Sequence, residues 1–168
     1  PSKGYAIINR YRLEPKDPKA YKQGKLVEPK KQIVYYIDPA TPKKWVPYLI
    51  AGINDWNAAF EAAGFKNAIV AREVPKGSDI SPDDARYCFL RYLPSETENA
   101  YGPRIVDPRS GEIIESHVGW YHNVMSLLHS WYMIQTGNVD PKARTMKFDD
   151  HLMGQLIRFV SSHEIGHT

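Results

Sequence analysis

The sequence predicts an α/β or α+β fold in which one mixed sheet of five strands packs on helices. Three observations lead there. Five β-branched and aromatic runs are separated by turn signals rich in Gly, Pro, Asp and Ser. Three further stretches place apolar residues at helical spacing. The 168 residues, 24% charged and 42% hydrophobic, have the balance of a single domain that buries its core without staples.

Residues 1–30 read as an extended basic arm, because the prolines in "RLEPKDPKAYKQGKLVEPKK" are too close together for long helices. Residues 31–168 form the domain proper. Its first strand is "QIVYYID", residues 32–38. A long first helix follows over 41–65, with Thr41 as N-cap and Pro47 restarting the regular part. Leu49, Ile53, Trp56 and Phe60 form its apolar stripe, and Gly64 is its natural stop. "NAIVAREV" and "RYCFLRYL" supply the second and third strands, with a polar loop between them. "AYGPRIV" and "GEIIESHVGWYH" supply the fourth and fifth, joined by "DPRS". Pro103 cannot donate to a ladder, so the fourth run belongs at a sheet edge. A second helix, "NVMSLLHSWYMIQTG", is capped by Asn123 and stopped by Gly137, with its Met, Leu and Trp side chains in the core. Asp149 or Asp150 caps the third, whose buried face is Leu152, Met153, Leu156, Ile157 and Val160.

Several function classes are disfavoured. A net charge of +3 argues against a nucleic-acid partner, although 11 of the 22 Lys and Arg lie in the first fifty residues. The single cysteine, Cys88, excludes an internal disulfide and a multi-cysteine metal site. No apolar run is long enough to span a membrane, and no signal peptide is present. The chain opens with Pro1, which reads as a segment of something longer.

The third helix carries "HEIGHT" at residues 163–168. On a helix, His163 and His167 share one face, one turn apart, and can present both imidazoles to a zinc ion. Glu164 stands beside the first histidine, where a carboxylate serves as general base toward a metal-activated water rather than as a ligand. This is the chemistry of the H-E-x-x-H pattern. Gly166 costs about 1 kcal/mol against alanine inside a helix, so either a neighbour approaches closely there or the helix is about to end. His117, His122, His129 and His151 read as scaffold.

"HEIGHT" resembles the start of the longer metzincin motif. The segments 12–45, 52–69, 101–116, 120–125 and 149–168 are similar to the large exported zinc-dependent metalloproteases of Gram-negative bacteria. The resemblance implies a zincin-like fold with an antiparallel edge strand beside the cleft, present here as the upper, N-terminal subdomain. It implies a zinc-dependent endopeptidase acting on peptide or protein substrates in the periplasm or outside the cell. His163 and His167 would be zinc ligands, Glu164 the base, and Tyr101 and Gly102 the residues facing substrate backbone. A third histidine ligand and a methionine turn would follow Thr168, so this chain alone is expected to hold zinc weakly or not at all and to be inactive. Two other readings stay open: a non-catalytic peptide-binding domain, and a zincin whose third ligand is a downstream glutamate.

Overall fold

A computed structural model describes residues 4–168. The element order is α1 (Pro18–Lys22), β1 (Ile33–Ile37), α2 (Val46–Asn54), α3 (Asn57–Ala62), β2 (Ile69–Glu73), β3 (Cys88–Leu93), β4 (Ala100–Tyr101), β5 (Arg104–Val106), β6 (Ile113–Tyr121), α4 (Val124–Thr136) and α5 (Asp150–Gly166), with a 3₁₀ turn at Pro141–Arg144 before α5. The mixed sheet has six strands in the order β2-β1-β3-β6-β4, and β5 also pairs with β6. The first four strands of that order are mutually parallel, while β4 and β5 run antiparallel to β6.

The expected count of five strands is corrected to six. The fourth run splits at Gly102–Pro103, where a residue without an N–H interrupts the ladder. Both halves remain on the same side of β6, so the expected edge position stands. The long first helix is also two helices. Its chain breaks at Asp55–Trp56, and Thr41 caps neither half: Trp45 holds the N-cap position of α2 and Pro47 lies in its first turn. Gly64, with φ +91°, takes the left-handed conformation just past α3 that a side chain would resist.

Alternation along β1 buries Ile33, Tyr35 and Ile37 on one face. With Leu90, Tyr92, Val118 and Trp120 they meet Leu49 and Ile53 of α2, Leu128 of α4, and Ile157 and Val160 of α5 in one core. Fully burying a side chain of this size stabilises by about 1.5–3 kcal/mol. The α2–α5 contact is close because it is built on glycine. A Cβ at Gly52 would lie 2.5 Å from the Arg158 carbonyl oxygen, and one at Gly154 would lie 2.3 Å from the Tyr48 ring. Nothing larger lets these two backbones approach as they do.

Helix α4 departs from its expected burial. Val124 and Leu128 are buried, whereas Trp131, Met133 and Ile134 are exposed. Asn123 sits at its N-cap position but donates instead to the Glu96 carbonyl. The arm, by contrast, has defined partners. Arg10 bridges to Glu112 at the start of β6, and Val27 to Phe65. A single short helix, α1, is capped by the Asp17 carboxylate.

Candidate functional site

Helix α5 begins at Asp149, whose carboxylate accepts the Leu152 N–H at 2.7 Å. It runs seventeen residues to Gly166. That length carries His163 and His167 to the final turn, clear of the core that the helix's middle fills. Both imidazoles are exposed, and their Nε2 atoms stand 3.0 Å apart with the ring planes at 81°. Two nitrogen ligands of a tetrahedral zinc at about 2.0–2.1 Å would stand about 3.3 Å apart. The separation of the pair, here that of a hydrogen bond between the two rings, is within a few tenths of an ångström of that distance. Glu164 is only 9% exposed, and among the described residues no side chain donates to its carboxylate.

The last turn of α5 is held by three neighbours. From the α2–α3 break, Trp56 Nε1 donates to the Ser162 carbonyl at 2.7 Å. A Cβ at Gly166 would lie 2.7 Å from the same indole ring. Both expectations for Gly166 are met, since the helix ends there and a neighbour packs there. From β1, the Tyr35 hydroxyl bonds Thr168 Oγ1 at 2.8 Å, and Thr168 Oγ1 donates to the Ile165 carbonyl at 2.8 Å. Tyr11 extends this chain of hydroxyls to the arm, 3.0 Å from Tyr35. Burial raises the pKa of both phenols, so both stay protonated as donors. From β5, Arg104 Nη1 donates to the His167 carbonyl at 2.5 Å. The carbonyls of this turn, orphaned in an isolated helix, have partners here. Only Gly166 signalled one of these contacts. Nothing in the sequence marks Arg104 or Tyr35.

Gly102 abuts the same turn. A Cβ there would lie 2.7 Å from Thr168 Cγ2 and 3.2 Å from the Glu164 carbonyl oxygen. Tyr101 turns to the other face of the sheet, where its ring lies over Gly119 and beside Tyr121 and His117. The structure thus brings Gly102 to the histidine helix and sends the Tyr101 ring away from it, while their backbone stays on the edge strand. The arm bridges to Phe65 after α3 and to Glu112 before β6, and among the described residues no backbone bond joins it to β4.

The remaining histidines are engaged elsewhere. His117 Nδ1 bonds the buried Glu115 carboxylate at 3.1 Å, and His122 bonds the Tyr92 hydroxyl. His129 bonds the Thr145 carbonyl at 2.9 Å and stacks on Phe148. His151 lies twelve residues before His163 on α5, about 18 Å along the axis at 1.5 Å per residue. Among the described residues no group of three or more His, Cys, Asp or Glu side chains is placed to share one ion. Cys88 is half-buried, and burial raises its thiol pKa, which leaves it a poor nucleophile. A cavity of about 350 Å³ lined by Tyr11, Tyr36, Tyr87, Cys88 and Lys31 includes neither histidine nor Glu164. No helix is long and apolar enough to cross a membrane, among the described residues.

Neither a curated protein nor a solved structure matches the chain. A family model described as Met-zincin does match, over residues 145–168, and this short region holds α5 with His163, Glu164 and His167.

Proposed function

We propose that residues 31–168 are the upper subdomain of a zinc-dependent endopeptidase of the metzincin type, preceded by a basic arm over 1–30. The observation that carries this reading is the 3.0 Å separation of the His163 and His167 Nε2 atoms at the end of a helix that abuts an edge strand. The Met-zincin match over the same helix supports it. In this reading His163 and His167 hold the zinc, and a third protein ligand comes from outside these 168 residues, because the other four histidines are bonded or distant. Zinc, when bound, supplies a Lewis acid that brings the pKa of water near 7. Glu164 takes the proton of the attacking water and delivers it to the leaving amine. An extended peptide adds to the outer edge of β4, its backbone paired near Tyr101 and Gly102. Placement in the periplasm or outside the cell follows from the family resemblance.

The test is Glu164→Gln in the full-length protein. Peptide turnover falls about 10²–10⁴-fold, as for loss of a general base, while bound zinc stays at the wild-type level. Loss of zinc together with turnover makes Glu164 a ligand and overturns its role as base. A non-catalytic peptide-binding domain would show wild-type peptide affinity and no turnover before any substitution.

A further inference from the structure

Arg104 is the first residue of β5, directly after the Gly102–Pro103 break, yet its guanidinium reaches the helix end. It donates to the carbonyl of His167 itself. Its register partner on β6 is Ser116, a fully buried residue on the core face, so the side chain is directed to the helix side of the sheet. The Ser116 hydroxyl in turn donates to the Pro103 carbonyl at 3.1 Å and fixes the chain just before Arg104. A charged donor on a terminal carbonyl is stronger than a neutral one, and cations favour the negative end of a helix. Tyr35 and Thr168 hold the adjacent Ile165 carbonyl.

We infer that Arg104 is a positioning residue for the metal site, holding the His167 backbone so that its imidazole faces that of His163 before any ion arrives. This rests on the reading of the two histidines as metal ligands. An imidazole on a frayed turn must be ordered when the ion binds, which weakens binding; one already held pays that cost on folding. The inference also ties the substrate edge to the metal site, because β4 and β5 are one continuous segment through Gly102, which touches the same turn.

Arg104→Ala, Arg104→Lys and Arg109→Ala separate this role from a structural one. Arg109 is the control: it lies on the same hairpin and pairs with Asp107, away from α5. Two readouts are taken on the full-length protein carrying each substitution, with thermal melting alongside. The first is hydrogen exchange of the His167 and Thr168 amides without metal, which donate to Glu164 and Ile165 in the folded turn. The second is zinc titration to millimolar, followed by the His163 and His167 imidazole resonances. Arg104→Ala speeds exchange at those two amides and weakens zinc about 10–100-fold, as loss of a group supporting a ligand does. Arg104→Lys restores part of both, and Arg109→Ala moves neither. Unchanged exchange and zinc affinity in a folded Arg104→Ala chain overturn the inference. So does a fall in melting temperature with exchange rising throughout, which marks a general stabiliser. Failure of both imidazoles to respond to millimolar zinc in the full-length wild-type protein counts against the metal-ligand reading instead. In that case local acceleration of exchange still upholds the clamp, and its absence overturns it.

Discussion

The two edges of the sheet are treated in opposite ways. At the β2 edge the outward backbone groups are closed by side chains. Asn57 accepts from the Ile69 N–H at 3.3 Å and donates to the Ile69 carbonyl at 2.7 Å, and Asn54 accepts from the Ala71 N–H at 3.0 Å. Two asparagines from the helical layer thereby imitate a neighbouring strand. At the β4 edge the strand is only two residues long, and a single side chain reaches its backbone, Asn99 Oδ1 accepting the Ala100 N–H at 2.9 Å. An uncovered edge invites pairing with another chain, and proteins ordinarily suppress it. Here one edge is covered by the helical layer, and the other, next to the histidine helix, is short and capped only at the Ala100 N–H. The difference is what a sheet needs if it is to accept a peptide in one place only.

The comparison breaks most severely at Gly102. Valine there brings a branched Cβ within 2.7 Å of Thr168 and 3.2 Å of the Glu164 carbonyl oxygen, so the strand or the helix end must move. Overpacking of this kind costs about 1–3 kcal/mol of stability, and displacement of the strand removes the edge on which the proposed function seats the peptide. Peptide turnover by the full-length protein should drop by about two orders of magnitude, the scale of a misplaced binding group. Turnover at the wild-type level would mean that substrate does not use this strand.

Asn57→Ala probes the opposite edge. It removes both bonds to Ile69, and urea unfolding should show a loss of about 1–3 kcal/mol. Light scattering should show concentration-dependent association through the newly open edge. Peptide turnover at low protein concentration should not change. A fully monomeric variant would show that the asparagines stabilise the fold without guarding the edge.

These contrasts were unevenly legible in the sequence. Helix α5 was readable because its cap, stripe and histidine spacing are all local: Asp149 is the cap, and of the expected buried face Ile157 and Val160 are buried while Leu152, Met153 and Leu156 are half-buried. The α2–α3 break was not, since Asn54, Asp55 and Trp56 continue a helical pattern until tertiary bonds to β2 and to Ser162 override it. Pro103 announced an edge but not that its run would become two strands. Asn54 and Asn57 look like ordinary polar positions on a helix surface; only the fold places them along a strand. The exposed Trp131 and Met133 were read as core because an apolar stripe says that a face is apolar, not what covers it.

The smallest expected effect concerns the turn between β5 and β6. The Arg109 side chain, and then its backbone N–H, hold the Asp107 carboxyl at about 2. A carboxylate whose pKa is depressed on folding adds stability above its unfolded value of about 3.9, and that contribution disappears as pH falls toward the folded value. Thermal melting should therefore soften slightly between about pH 4 and pH 2. Asp107→Asn should remove that part of the pH dependence, and an identical pH profile in the variant would assign it to other carboxylates.

The most direct test is a structure of the full-length protein with an extended, non-hydrolysable peptide. The account predicts the peptide paired along the outer edge of β4, backbone to backbone at Tyr101 and Gly102, with its central carbonyl beside His163, Glu164 and His167. A peptide bound at the β2 edge, or in the cavity beside Tyr36 and Cys88, would contradict it.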